Sequence, residues 1–194
     1  MPTILFNTTT TDPQKTYMTL SITGAEIFNY AVNRTIEHSR ETPDVDGGEK
    51  QHKLTLTLAE GKLFNRYISR YASEINTILQ AYTRWSVSNY TNTLTGSGGA
   101  VSWVMEVQRI VPTVPLYGLD PNITYPENWD RTNAYNLGDT ILHYLTCAGL
   151  REWYNNKNSP LAQFYQMEID TAIDKIKSLL EMRMKPVKRQ YRGM

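Results

Sequence analysis

A single cysteine, Cys147, stands among the 194 residues, so no intramolecular disulfide framework can staple the fold. No apolar run approaches the roughly 18 residues of a membrane span, so the chain is expected to have no membrane partner. The first residues, Met-Pro-Thr-Ile-Leu-Phe-Asn, lack the charged start and apolar segment of a secretory leader, and synthesis in the cytoplasm is expected. Charge of one sign is also missing. Twenty Lys and Arg offset nineteen Asp and Glu to a formal net charge of +1, without the basic excess of a dedicated nucleic-acid binder. Phenylalanine is scarce, at four residues, whereas tyrosine reaches thirteen and tryptophan four. Tyr and Trp join apolar area to a polar tip and are favoured where proteins meet, although they also cap ordinary cores.

Motifs of catalysis are equally sparse. Gly96-Ser-Gly-Gly lacks the following Lys-Ser/Thr of a phosphate loop, and neither a nucleophile elbow nor a cysteine–histidine signature occurs. His143 and Cys147 stand one helical turn apart and could ligate a metal together. No second pair of His, Cys, Asp or Glu has matching spacing, so a buried histidine and thiol are expected instead. Glu26 and Glu60 are accounted for by helix capping and Glu74 by a solvent-facing helix side. No catalytic residue, no metal and no cofactor is therefore expected, and the chain is read as a non-enzyme.

The patterning predicts a mainly α chain: an antiparallel bundle of about four helices with an inserted β-hairpin, an extended N-terminal arm and a C-terminal tail, all in one domain over 1–194. The threonine-rich arm, 1–22, alternates Ile4, Phe6, Met18, Leu20 and Ile22 with polar residues; such an arm lies along its own domain or pairs with a neighbour. Thr23-Gly-Ala-Glu26 and Thr57-Leu-Ala-Glu60 are capping boxes. The first opens a helix carrying Ala25, Phe28, Val32 and Ile36 to near His38. A loop with seven charges in fifteen residues then spans 39–53 and leads to the second box at about 56. The second box opens a helix running to about Arg84, expected to be the longest and the spine of the bundle.

From Ser86 to Tyr125 only Glu106, Arg109 and Asp120 are charged, where the chain-wide 20% predicts eight. Val101, Trp103, Met105 and Val107 alternate with polar residues, and Thr95-Gly-Ser-Gly-Gly links them to a strand around Trp85–Tyr90: a β-hairpin, followed by a proline-rich connector over 112–126. A surface so poor in charge is expected to be covered by the same chain or another copy. Two closing helices, Leu137–Tyr154 and one capped by Ser159-Pro160, are joined by a turn short enough to make them antiparallel. After Met184 come four positive charges and no negative one. That tail is read as a solvated terminus, a weak nucleic-acid contact or a docking peptide anchored by Val187 and Tyr191.

The segment Thr140-Ile-Leu-His-Tyr-Leu-Thr-Cys-Ala-Gly-Leu-Arg-Glu-Trp-Tyr154, the polar turn with Ser159-Pro160-Leu161, and Phe164-Tyr165-Gln-Met-Glu168 leading into Ala172 and Ile173 resemble the head–tail connector (adaptor) proteins of tailed bacteriophages. About a third of the chain follows that pattern closely; the threonine-rich arm and the 39–53 loop depart from it. The resemblance implies a structural virion protein of the phage neck. Such proteins form a ring of typically twelve copies between portal and tail, with genomic DNA passing through the channel. Their C-terminal tails reach the portal, and an extended hairpin contacts neighbours or tail proteins. Carried over, portal docking falls on Lys185, Val187, Lys188, Arg189, Tyr191 and Arg192, and the inter-subunit hairpin on Trp103, Met105 and Val107. A stopper or tail-completion protein of the same neck, and a small helical DNA-associated protein, are the alternatives.

Overall fold

The computed structural model describes residues 1–9, 12–41, 54–82, 87–94, 98–112, 124–126 and 133–181. Among them the order is β1 (Thr3–Thr9), β2 (Asp12–Thr23), α1 (Gly24–Glu41), a 3-10 turn (Leu58–Glu60), α2 (Gly61–Tyr82), β3 (Val87–Asn92), β4 (Ala100–Pro112), β5 (Thr124–Pro126), α3 (Ala134–Tyr154) and α4 (Ser159–Glu181). The chain is mainly α, with inserted strands that form one antiparallel sheet in the order β1–β2–β4–β3; β5 pairs the far end of β4.

The arm is part of the sheet. β1 and β2 pair over Thr3↔Ser21 to Thr9↔Asp12, and β2 then pairs β4 with Ile22 opposite Val101, Leu20 opposite Trp103 and Met18 opposite Met105. All six of these inward side chains are fully buried. The period of two puts Thr19, Ser21, Ser102 and Thr91 on the other face, where Thr91 and Ser102 hydroxyls bond at 2.6 Å. The hairpin ahead of the glycine-rich segment is closed by Thr93 N–H to the Ala100 carbonyl at 2.9 Å, and Gly99 beside it has φ +82°, a conformation that favours glycine.

Both capping boxes form. Thr23 N–H donates to Glu26 Oε2 at 2.9 Å and Glu26 N–H to Thr23 Oγ1 at 3.2 Å; Thr57 N–H donates to Glu60 Oε2 at 3.0 Å. Helix α1 runs to Glu41 rather than His38. Ser39 is buried there with its hydroxyl on the Ile36 carbonyl, so the polar composition from residue 39 onward does not mark the helix end. The remainder of the charged loop, 42–53, lies outside the described residues. Leu54 and Leu56 just after it are buried, tied by Tyr154 OH to the Leu54 carbonyl and by Leu56 N–H to Thr35 Oγ1, both 3.1 Å.

The spine is α3, not the helix of the second capping box. α3 is buried on nearly all sides and packs against α1, α2, α4 and the β1–β2 hairpin. A helix surrounded by other elements loses the one-sided apolar stripe that makes amphipathic helices conspicuous, so periodicity points to α2 instead. Among the described residues α2 has 22 residues and α4 has 23; the expected end near Arg84 lies outside them. The cap of α4 is Asn158, whose Oδ1 accepts the Leu161 N–H at 3.2 Å; Ser159 and Pro160 are already helical. Asparagine caps as well as serine, and here its side chain reaches the free N–H at the third helical position.

Candidate functional site

The antiparallel α3–α4 pair brings together side chains that lie on separate stretches of sequence. His143 and Cys147 are one turn apart on α3, and Glu168 projects from α4. The His143 imidazole N–H at Nε2 donates to Glu168 Oε2 at 3.1 Å, and Cys147 Sγ lies 3.6 Å from the same nitrogen. One ligand atom from each of the three falls within 4.8 Å of the other two. Cys147 is only 2% exposed, whereas His143 and Glu168 border solvent. They sit along an open groove of about 320 Å³, which continues one turn towards the start of α3 past Asp139 and Thr140 and is walled on the α4 side by Thr171 and Lys175.

The electrostatics of this cluster limit its chemistry. Burial pushes the Cys147 thiol up to about 12 and the Glu168 carboxylate adds to the rise, against a weaker opposing pull from Arg34 of α1. At neutral pH the sulfur is a protonated thiol, the reverse of the lowered thiolate that nucleophilic cysteines require. Cys147 beside His143 is thus not an activated cysteine–histidine pair. The arrangement can tie two helices by a hydrogen bond, and it offers a nitrogen, a sulfur and an oxygen converging on one point.

A second polar knot lies at the other end of α3. Glu60, which caps α2, also accepts the Trp153 indole N–H at 3.0 Å and the Lys157 ammonium at 2.8 Å, while Lys157 sits 3.7 Å above the Trp153 ring. Burial raises its carboxyl, but Lys157, the Thr57 N–H and Trp153 together outweigh that and hold it at about 2. Nearby, Tyr71 OH donates to Glu152 Oε1 at 2.6 Å and accepts from Arg151 at 3.0 Å, joining α2 to α3. Both knots hold the bundle together, and neither borders the groove.

The side chains expected to serve partners are placed differently. Trp103 and Met105 are fully buried in this chain's own core, with Tyr90 stacked on Trp103 at 5.8 Å between centroids, so they are corrected from contact residues to core residues. The alternation that singled them out has an inward phase as well as an outward one, and the helices occupy the inward side. Val107 lies in β4 where the register with β2 skips from Glu106 to Gln108, a bulge that interrupts the alternation. Lys185, Val187, Lys188, Arg189, Tyr191 and Arg192 lie outside the described residues. Glu168 was missed, although a signal existed: in an antiparallel helical hairpin, residues about equally far from the turn face each other, and 143 and 168 nearly satisfy that condition.

Among the described residues no helix is long and apolar enough to cross a membrane. No family model, curated protein or solved structure matches the chain.

Proposed function

We propose that this chain is a structural protein of the tailed-phage neck, an adaptor that joins identical copies in a ring between portal and tail. The observation that carries the reading is the α3–α4 hairpin. It is the segment whose sequence resembles the adaptor family, and it folds as one antiparallel unit locked at its turn by Trp153, Tyr154 and Tyr165, the last two stacked 5.7 Å apart. Around this hairpin, large apolar side chains stand exposed among the described residues. Phe164 and Met167 stand on one side of α4, 41% and 70% exposed, and Leu58 and Tyr135 are exposed near the starts of α2 and α3. Side chains of this kind suit permanent contact with further subunits.

With Trp103 and Met105 committed to the core, the sheet offers neighbours its outer face of Thr19, Ser21, Ser102 and Thr91 and the exposed Leu5 of edge strand β1. The basic segment 185–194 is assigned to portal docking, with Val187 and Tyr191 as anchors and Lys185, Lys188, Arg189 and Arg192 as steering charges. Genomic DNA passes through the ring's channel, and the protein resides in the virion neck without enzymatic activity.

Removal of residues 185–194 tests the docking assignment. The truncated protein should keep the helical circular dichroism and cooperative unfolding of the full chain but fail to co-purify with its portal. Co-purification at the level of the full chain would overturn it.

A further inference from the structure

We propose that His143 Nε2, Cys147 Sγ and Glu168 bind a divalent cation of the zinc class, clamping α3 to α4 at the mouth of the groove. Neither the absence of a sequence motif nor the neck reading bears on this site, because its third member comes from a different helix. Zinc bound at about 2.0–2.3 Å to nitrogen, oxygen and sulfur in a tetrahedron sets neighbouring ligand atoms about 3.3–3.6 Å apart. The structure holds Nε2 and Oε2 at 3.1 Å, close to that spacing, whereas Sγ lies 3.6 Å from Nε2 and 3.8 Å from Nδ1, beside the ring, so the Cys147 side chain must turn towards the Nε2 lone pair to complete the triangle.

The donor set selects the metal. One thiolate, one imidazole and one carboxylate suit zinc, whereas magnesium and calcium prefer all-oxygen shells. On binding, the thiol proton passes to solvent and the imidazole proton moves by solvent exchange from Nε2 to Nδ1, so that the sulfur and the freed Nε2 become ligands with no change of oxidation state. Three protein ligands leave a fourth position for water, and the groove that His143 and Glu168 line continues to the Asp139 carboxylate one helical turn away. The helix spacing of His143 and Cys147 keeps two ligands on one face of α3, and the packed hairpin holds Glu168 beside them. Binding therefore asks for side-chain rotation on a backbone already in place.

Chelator-stripped full-length protein, titrated with zinc by calorimetry and separately with cobalt(II) by absorbance, tests the assignment. One equivalent should bind, and cobalt should give thiolate-to-metal charge transfer in the near ultraviolet with the visible bands of a four-coordinate ion. Cys147→Ser should abolish the charge-transfer band, and Glu168→Gln should weaken zinc binding by about tenfold or more. Zinc should raise the melting temperature of the wild type and leave that of Cys147→Ser unchanged. Circular dichroism of metal-free Cys147→Ser and of the milder Cys147→Ala controls for folding. Failure of the wild type to take up either metal, or equal uptake by wild type and variants, would overturn the site.

Discussion

At the residue scale, Glu60 does the work of several side chains. It completes the cap of α2, accepts the Trp153 indole and pairs with Lys157, so the start of one helix is fastened to the end of another. Because these contacts hold its carboxyl at about 2 against an ordinary 4.5, the folded state favours the carboxylate more than the unfolded chain does. The resulting stability is complete above about 4.5 and is lost as pH falls towards about 2. The shift would be worth about 3 kcal/mol at full strength. With the side chain 30% exposed, solvent screening reduces that to about 1–2 kcal/mol. Glu60→Gln should therefore destabilise the protein by about 1–2 kcal/mol at pH 7 in urea unfolding. The difference from wild type should shrink as the solution is acidified through that window. A deficit that stays constant from pH 7 to pH 2 would contradict the account.

At the element scale, the close approach of α2 to α3 depends on Gly149. A Cβ at that position would lie 2.6 Å from Phe64 Cζ and 2.7 Å from Cε2, so the aromatic ring rests directly on the α3 backbone. Phe64 is fully buried and meets Phe28 edge-on at 5.9 Å, which leaves it little room to retreat. Gly149→Ala should cost about 1–3 kcal/mol by overpacking. Phe64→Leu, which shortens the ring, should make the glycine substitution nearly neutral in a double-mutant cycle of thermal unfolding. Additive losses would refute the steric explanation. The same elements indicate how far a sequence can be read. Both capping boxes, the strands containing Trp103 and Tyr90 and the α3–α4 turn were legible because each is fixed by neighbours within a few residues. The partner of the arm was not, since β2 pairs with β4 some eighty positions away and alternation alone does not say which face finds the helices. Nor was the central role of α3, because burial on all sides erases its periodicity. The His143–Cys147–Glu168 cluster was two-thirds visible: spacing supplied the pair on α3, and only the packed hairpin supplied Glu168.

For the whole molecule, one hydrophobic core runs from the sheet through α3 to the three helices around it. The charge-poor hairpin needs no second copy to cover Trp103 and Met105. The proposed contacts rest instead on apolar side chains exposed outside that core, Leu58, Tyr135 and Met167 foremost, and on the basic segment 185–194 assigned to docking. In the proposed assembly the bundle is the rigid body of each subunit, and contacts between copies are made by surfaces the isolated chain leaves bare. The most direct measurement is electron microscopy of the full-length protein mixed with the portal protein that the proposed neck assembly requires. The account predicts a closed ring of copies seated on one face of the portal, continuous with its channel. Portal particles that remain bare at saturating protein, with the chain free in solution, would contradict it.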